Sequence, residues 1–386
     1  MIALTAKTLL TPLEQVERPL VLIDEGRVAA ISAQSQMEIP AGAEGVDFGE
    51  HILVPGFVDI HVHGSFGYDV MEDDEQGRRK FEEFLAHRGV TSYYPTTVTA
   101  PLDTILRALE RLATAIEAAQ KSQDQRAQPL GIHLEGPFLS HVRRGVHPPD
   151  SLLDPAVRTF EKLWHASRGQ IRLMTMAPEL PGASELITEA TKRGVCVSLG
   201  HSDATLEQTR AAISVGARHA THTFNAMRPL DHRNPGILGE VLTNSALTAD
   251  LIADGVHVHP SMVRLFLESK GPDRAVLITD ATSATGMPDG RYRLGSFEVD
   301  VHDGKCLHDG KLAGSVLTLD HAIQNVMSFA DLELKDAVRL ATLNPAKVAN
   351  AERKGTIAVG SDADFAVLNS SGEVQASIAK GTRVQQ

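Results

Sequence analysis

Eight short apolar segments, most of them ending in polar residues, constrain the fold of this chain more than any other feature. They span residues 53–64, 91–98, 129–137, 171–179, 195–202, 218–227, 247–258 and 275–282. Stretches with helical periodicity separate most of them, for example 103–119, 183–194 and 204–217, and a further amphipathic helix is predicted over 317–330. Strands that alternate with helices are typical of a (β/α)8 barrel, although a doubly wound parallel sheet shares this alternation.

The position of the polar residues favours the barrel. They follow nearly every predicted strand at its carboxyl end, where a (β/α)8 barrel builds its active site. Residues 1–50 and the tail after 354 contain short β-like runs separated by turns. The sequence therefore predicts an α/β protein with a (β/α)8 TIM-like barrel over 51–345. Both chain ends, residues 1–50 and 346–386, are expected to form one small β-sandwich domain.

Composition excludes several classes of partner. The net charge of -12 over 386 residues gives no electrostatic footprint for nucleic acid or an anionic membrane, although a local basic pocket could still bind an anionic substrate. Cys196 and Cys306 are too far apart for a zinc ribbon or a disulfide scaffold. The first residues lack the apolar run of a signal peptide, so a cytoplasmic enzyme without a membrane span is expected.

The segment GIHLEGPF places His133 and Glu135 two residues apart, and so on one face of a strand. A buried carboxylate needs compensation, because burying it unpaired costs several kcal/mol or more. His201 and His222 lie at or near the ends of the fifth and sixth predicted strands. One carboxylate and two imidazoles from separate strand ends match a catalytic zinc or similar divalent site with an open position.

Three further residues lie at strand ends. His61 and His63 alternate on the first predicted strand, where an isolated pair is more often hydrogen-bonded within the protein than bound to a metal. Asp280 ends the eighth strand and is either a cap for the following turn or a carboxylate that exchanges protons beside a metal. Their convergence at one end of a barrel favours the functional interpretation of all three.

The chain resembles the amidohydrolase superfamily over about residues 50 to 370. The motifs PGFVDIHVHG, HLEGPF, GHSDAT, THTFNAM, DGVHV, TDA, LAGS and NPAK…GTIAVGSDADF occur in the family's order. HLEGPF together with GHS and THTFNAM resembles the branch that deacetylates phosphorylated amino sugars. Many other members use a carbamylated lysine in the bridging position that Glu135 occupies here.

The resemblance implies a role for each of these residues. Glu135, His201 and His222 would bind a metal, and Asp280 would be the catalytic acid and base. His61 and His63 match a pair that binds a second metal in some relatives, with Glu135 then bridging the two ions. Zinc is the expected ion, although iron, cobalt and manganese share such ligands.

Substrate contacts are implied in the same way. His147 matches a residue that contacts the acetamido carbonyl and assists catalysis, and Arg233 and His257 match groups that hold a 6-phosphate. Arg233 would reach the site of a partner subunit, which implies a homodimer, and Arg228 is a rival for its role. The remaining predicted substrate contacts are Val146, Asn225, Ala226, Ala313, Gly314 and Ser315. His133 is expected to orient Glu135.

The implied reaction is hydrolysis of the N-acetyl group of N-acetylglucosamine 6-phosphate to glucosamine 6-phosphate and acetate. Three alternatives stay open: the 4-epimer, N-acetylgalactosamine 6-phosphate, as substrate; a cyclic-amide hydrolase or deaminase of the same superfamily; and a binding protein without activity. The Glu135 motif argues against the second, and the retained metal-ligand pattern argues against the third.

Overall fold

The computed structural model describes residues 1–122 and 124–384. Eight strands, labelled β1 to β8, run through the central part of the chain. They are β1 Phe57–Val62, β2 Val90–Thr97, β3 Ile132–Glu135, β4 Ile171–Met176, β5 Cys196–Leu199, β6 His219–Ala220, β7 Ala249–Ile252 and β8 Ala275–Ile278. Each lies within one of the apolar segments or overlaps it.

Helices follow most of these strands. They are α1 Glu75–His87, α2 Leu102–Lys121, α3 Val157–Ala166, α4 Ala183–Lys192, α5 Leu206–Ser214, α6 Gly236–Thr243, α7 Pro260–Lys270, α8 Leu319–Ala330, α9 Leu334–Ala341 and α10 Leu343–Val348. A short 3₁₀ helix spans Pro149–Ser151. The helices α2, α4, α5 and α8 confirm those predicted from periodicity. None of the helices in the described residues is both long enough and apolar enough to span a bilayer.

Local sequence explains where the helices form. In α2, Ile105, Leu109 and Leu112 recur at spacings of three and four and are buried, which gives the helix one apolar face. α5 begins with a capping box: the Thr205 hydroxyl accepts from the Gln208 N–H (3.2 Å), and the Gln208 side chain accepts from the Thr205 N–H (2.9 Å).

The strands are hydrogen-bonded in chain order. Each strand from β1 to β5 pairs in parallel with the next, and β7 pairs in parallel with β8. The N–H of Ala220 donates to the carbonyl of Thr248 (3.0 Å) between β6 and β7, and the N–H of Asp280 after β8 donates to His61 in β1 (2.9 Å). In a doubly wound sheet the strand order reverses at a switch point. The order of the strands described here contains no such reversal. The carboxyl ends of the strands therefore meet at one end of the structure.

Two sheets from the chain's flanks enclose a second core. One has the strand order Arg27–Ala33, Pro19–Asp24, Ile2–Thr5, Glu44–Asp47; the other has the order Thr382–Arg383, Val374–Ala379, Phe365–Leu368, Ile52–Pro55, Thr8–Leu10, Gln15–Glu17. Phe365–Leu368 pairs antiparallel with Ile52–Pro55, so both ends of the chain contribute to one sheet. Leu4 and Val21 of the first sheet pack with Phe365 of the second. Residues 385 and 386 of the predicted C-terminal segment lie outside the described residues.

A small antiparallel sheet, here called the hairpin sheet, follows β8 and was not predicted from the sequence. Its strands are Gly290–Leu294, Phe297–His302, Lys305–His308 and Lys311–Leu312. Val299 and Cys306 pack against Val98, which follows β2, and so attach this sheet to the carboxyl ends of the strands. Two further short pairings join Gly64–Ser65 to Tyr68–Asp69 and Gln128–Pro129 to β2.

Candidate active site

The predicted metal ligands come from separate strand ends and meet at one point. His61 lies in β1 and Glu135 is the last residue of β3, whereas His201, His222 and Asp280 each follow a strand by two residues. The last three adopt positive φ values of 47°, 30° and 51°, a conformation that non-glycine residues rarely occupy. Such strain concentrates at functional sites, where the surrounding structure holds a side chain in a required direction.

The Glu135 carboxylate lies at the centre, with imidazoles facing each of its oxygens. Oε1 lies 3.3 Å from His201 Nε2 and 3.2 Å from His222 Nε2. Oε2 lies 3.3 Å from His63 Nε2 and 3.6 Å from His61 Nε2. Each oxygen thus faces its own pair of ring nitrogens, which is the arrangement expected of a carboxylate that bridges two cation positions.

Two of these imidazoles each donate a ring proton to a backbone carbonyl. His63 Nδ1 donates to the carbonyl of Thr96 and His201 Nδ1 to the carbonyl of Arg143, both at 3.0 Å, so each Nε2 carries a lone pair when its ring is neutral and a proton when its ring is charged. Within the two pairs, Nε2 atoms lie 3.2 Å apart (His61 and His63) and 3.1 Å apart (His201 and His222). Lone pairs at that distance repel unless a proton or a cation lies near them.

The electrostatics of the site favour positive charge. Burial opposes the charged form of His222, but its hydrogen bond to Glu135 and the charge of that carboxylate outweigh burial and raise the pKa of His222 to about 9. Burial likewise opposes ionisation of Glu135, yet the charge of His61 and hydrogen bonds from His201 and His222 hold the pKa of its carboxyl well below the usual range.

Two groups of side chains could each hold an ion. The ligand atoms of His61, His63 and Asp280 lie within 4.8 Å of one another, with Asp280 Oδ1 3.1 Å from His63 Nε2. The ligand atoms of Glu135, His147 and His201 form the second such group, beside which lies His222. Buried imidazole and carboxylate donors of this kind bind divalent transition metals.

His147 presents a donor to the site. Its Nε2 lies 3.8 Å from Glu135 Oε2, and its Nδ1 lies 2.9 Å from the hydroxyl of Thr99. Burial, together with the charge of His201, lowers the pKa of His147 to about 3, so the ring is neutral. A Thr99 hydroxyl that donates to Nδ1 leaves the proton on Nε2, where it points toward Glu135.

A cavity opens onto these groups and contains most of the predicted substrate contacts. It is lined by His63, Val98, Glu135, Gly145, Val146, His147, His201, His222, Asn225, Ala226, His257, Asp280, Leu294, Leu312, Ala313 and Gly314. The hairpin sheet contributes Leu294 and Leu312. Gly314 has a φ of +61°, and a Cβ there would lie 2.6 Å from Thr282 Cγ2, so only glycine fits this part of the wall.

The three side chains predicted to bind the phosphate differ in position. His257 lines the cavity, and its Nδ1 lies 2.7 Å from Asp254 Oδ2. Arg233 is exposed and lies outside the cavity lining of its own chain. Arg228 donates to Asp203 Oδ2 (2.9 Å), so part of its guanidinium is already engaged.

Two predicted residues make hydrogen bonds within the protein. Ser315 lies outside the cavity lining, and its hydroxyl donates to the carbonyl of Thr279 (2.6 Å). The described hydrogen bonds of the His133 ring do not include Glu135: its Nδ1 donates to the carbonyl of Ile60 (3.1 Å) and its Nε2 lies 2.7 Å from the Thr175 hydroxyl. Its ring packs edge-on against His61, with centroids 4.6 Å apart, so His133 supports that imidazole.

Sequence reasoning missed residues that support the site. The Thr99 hydroxyl lies 2.9 Å from His147 Nδ1, and Asp250 in β7 accepts from the backbone N–H of His222 and contacts His219 Nε2 (2.9 Å). Asp250 was recognisable as an aspartate inside an apolar strand, because such a carboxylate must find a buried partner. Thr99 carries no comparable signal.

The chain matches known proteins along nearly its whole length. The model of the amidohydrolase family matches residues 52–384. The chain belongs to the amidohydrolase family. The resemblance seen in the motifs is thereby confirmed.

Individual relatives and structures agree with this membership. An N-acetylglucosamine-6-phosphate deacetylase of Lysinibacillus sphaericus is 37% identical over 351 residues, 90% of this chain and 89% of its own. An N-acetylgalactosamine-6-phosphate deacetylase of Escherichia coli O157:H7 is 38% identical over 374 residues, 96% of each chain. The structure of an aspartate-to-alanine variant of N-acetyl-D-glucosamine-6-phosphate deacetylase from Mycobacterium smegmatis, in complex with N-acetyl-D-glucosamine-6-phosphate, has a TM-score of 0.92 at 36% identity, covering 100% of this chain and 99% of that one.

Proposed function

We propose that this amidohydrolase hydrolyses the N-acetyl group of N-acetylglucosamine 6-phosphate to glucosamine 6-phosphate and acetate. The observation that carries the proposal is Glu135, whose two oxygens face two pairs of imidazole nitrogens at the base of a cavity. Most curated relatives of similar identity are N-acetylglucosamine-6-phosphate deacetylases.

A divalent metal fits this donor set. Glu135, His201 and His222 would hold one ion, and His61 and His63, together with Glu135, would hold a second, with zinc the best match to imidazole and carboxylate ligands. When bound, such an ion supplies a Lewis acid that polarises the amide carbonyl and lowers the pKa of water.

The chain's own residues would handle the protons. Asp280 lies within the site at 3.1 Å from His63, where it accepts a proton from the attacking water and later delivers it to the departing amine nitrogen. Without that proton an amide would have to expel a very poor leaving group. The His147 Nε2–H donates a hydrogen bond to the carbonyl oxygen as negative charge develops there.

Remote contacts would position the acetamido group. Asn225 and Ala226 line the sugar part of the cavity together with Val146, and His257 would bind the 6-phosphate. Because Arg233 is exposed on its own chain, we propose that it completes the phosphate site of a partner subunit in a homodimer. Fixing the phosphate orients the scissile amide against Glu135 and Asp280.

The 4-epimer is the second candidate substrate. The Escherichia coli relative named N-acetylgalactosamine-6-phosphate deacetylase matches as closely as the glucosamine enzymes do. The two sugars differ only at the 4-hydroxyl. Initial rates of acetate release from both sugar phosphates, measured over a range of concentrations, give kcat/KM for each.

The deciding experiment measures acetate release from N-acetylglucosamine 6-phosphate by zinc-loaded protein and by protein treated with a chelator. We expect turnover only with the metal, and a higher kcat/KM for the glucosamine than for the galactosamine epimer. Metal-loaded protein that releases no acetate from either sugar would refute the proposal. A preference for the galactosamine epimer would instead reassign the substrate and keep the reaction.

We also propose that β1 to β8 form one closed (β/α)8 barrel and that the flanking sheets form one β-sandwich. Backbone hydrogen bonds between β6 and β7, and between the end of β8 and β1, support closure. Ile52–Pro55 pairs within the flanking sheets, which favours a boundary after residue 55 over the predicted boundary after residue 50.

A further inference from the structure

A carboxylate between two arginines lies directly behind the metal ligands. Asp203 follows His201 by two residues; its Oδ1 accepts from Arg143 Nε (2.8 Å) and its Oδ2 from Arg228 NH2 (2.9 Å). The three side chains, here called the Asp203 clamp, are about a quarter to a third exposed. None of them lines the cavity, and the proposed reaction assigns none of them a chemical role.

The clamp has two arms, each an arginine with the chain segment that carries it. The Arg143 arm contacts His201 and ends at His147. The carbonyl of Arg143 accepts the Nδ1 proton of His201 (3.0 Å), and the N–H of Ser140 donates to the carbonyl of His201 (3.0 Å). Gly145 closes over the same ring, since a Cβ there would lie 3.3 Å from His201 Cε1. The segment 140–147 therefore wraps around His201 and ends at His147.

The Arg228 arm leads to the sugar side of the cavity. The N–H of Ser202 donates to the carbonyl of Ala226 (3.0 Å), and the N–H of Arg228 donates to the carbonyl of Ser202 (2.9 Å). These bonds form a parallel bridge between Ser202 and Met227. Through this bridge, the segment with Asn225 and Ala226 is tied to the segment that carries His201.

Asp203 is itself held in place. Its backbone N–H donates to Glu179 Oε1 (2.6 Å), and the Ser202 hydroxyl donates to Glu179 Oε2 (2.7 Å). Both carboxylate oxygens of Asp203 therefore stay directed at the two guanidinium groups. A fixed carboxylate with two charge-assisted hydrogen bonds determines the geometry of both arms.

We propose that Asp203 is a positioning residue that holds two segments of the active site separately: through Arg143 it fixes the tautomer and direction of the ligand His201, and through Arg228 it fixes the sugar-binding segment 225–228. The proposal rests on the proposed function: its first half rests on the metal site and its second half on the substrate. Groups that orient a metal-ligating imidazole typically contribute 10–100-fold to metal affinity or activity. The two arms should therefore be separable by two different measurements.

The test uses zinc-loaded full-length protein and two readouts: the chelator concentration that removes half of the zinc, by elemental analysis, and kcat and KM for N-acetylglucosamine 6-phosphate. Arg143→Ala keeps the carbonyl that binds His201 but releases it from Asp203, so we expect half-removal at a roughly 10-fold lower chelator concentration. Arg228→Ala should retain zinc and raise KM about 10-fold. Asp203→Ala should show both effects, and Arg143→Lys should restore part of the zinc retention.

Glu189→Gln is the matched control. Glu189 accepts from Arg193 NH2 (2.7 Å) with similar exposure, but it lies in α4, outside the site. We expect wild-type zinc retention and KM from this variant. Equal losses in the control and the clamp variants, or wild-type behaviour of Asp203→Ala in both readouts, would overturn the proposal.

Other outcomes distinguish a failure of the proposed function from a failure of the Asp203 proposal. Wild type that holds zinc but releases no acetate would refute the proposed function and leave the zinc readout to decide the Arg143 arm. Wild type that binds no zinc would overturn both. Identical profiles for Arg143→Ala and Arg228→Ala would refute the separation of the two arms.

Discussion

Glu82 and Glu135 are both buried carboxylates, but the protein compensates them in different ways. Glu82 in α1 accepts hydrogen bonds from Arg78 (2.7 Å) and from the Tyr93 hydroxyl (2.9 Å), and it pairs with Arg126 (2.6 Å). Its charge is thus balanced by two guanidinium groups that are always protonated. Burial nevertheless raises the pKa of Glu82, so the two guanidinium groups offset the cost of burying this charge only in part.

Glu135 has no guanidinium among its contacts in the described part of the chain. Its neighbours are imidazoles, and at least two of these direct their ring protons at backbone carbonyls. An imidazole can be neutral and a metal ligand, whereas a guanidinium can be neither. The difference teaches that the partners of a buried carboxylate distinguish a structural ion pair from a cation site.

Glu135→Gln should disrupt the group of imidazoles around this carboxylate and have the largest effect on activity. The amide keeps the size of the side chain but removes the charge, so zinc binding should weaken strongly. We expect acetate release to fall by roughly 10³-fold or more, because a Lewis acid contributes several kcal/mol to transition-state stabilisation. Zinc content and acetate release check the prediction, and a variant with wild-type zinc content would contradict it.

Asp280→Asn sharpens the comparison within the site itself. Asp280 lies 3.1 Å from His63 and 3.5 Å from His61, but its proposed task is proton transfer. We expect kcat to fall roughly 10²–10⁴-fold, the usual contribution of a positioned acid or base, while the zinc bound beside Glu135 is retained. Parallel measurements of kcat and zinc content separate the two roles; near-wild-type turnover would show that another group moves the proton.

The strand-end pattern was enough to predict much of the site from the sequence. Residues such as His201 and His222 follow short apolar strands, and parallel strands bring their carboxyl ends together whatever the intervening helices are. The same reasoning located Glu135, because a glutamate inside an apolar strand requires compensation. At these positions the local sequence pattern predicts the same location that the tertiary structure gives.

Other features depend on contacts that no local pattern encodes. His133 lies on the same strand as Glu135, yet its hydrogen bonds go to Ile60 in β1 and Thr175 in β4. The hairpin sheet after β8 has short alternating strands that are easily taken for a loop, and only its packing against Val98 places it at the cavity. Thr99 is one threonine among many until the fold brings it to His147.

Glu82→Gln tests the other side of the comparison. The substitution leaves Arg78 and Arg126 without their shared carboxylate in a mostly buried position. Removing one partner of a buried pair typically costs about 3–5 kcal/mol, so we expect a free energy of unfolding lower by that amount. Urea titration measures the loss, and the kcat of the protein that stays folded should equal that of wild type. A loss of zinc without a loss of stability would contradict the structural role of Glu82.

Asp69 extends the comparison to a buried carboxylate held by backbone groups. It accepts from the N–H groups of Met71 (2.7 Å) and Gly295 (2.8 Å), and burial raises its pKa to about 6 against these bonds. Because the folded-state pKa lies above the usual value of 3.8, the unfolded chain loses this proton first as the pH rises. The contribution of Asp69 is therefore complete below about pH 4, falls between about pH 4 and 6 and is constant above, for a total of about 3 kcal/mol.

The measurement that isolates this group is the difference in unfolding free energy between wild type and Asp69→Asn from pH 4 to 8. We expect wild type to lose stability relative to the variant between pH 4 and 6 and to run parallel to it above pH 6. The difference cancels the titrations of groups that do not interact with Asp69, whereas the charge of His63 acts on Asp69 and stays part of the measured difference. A flat difference curve would mean that the two backbone N–H groups offset the burial of Asp69 in full, and that this carboxylate needs no cation to be charged.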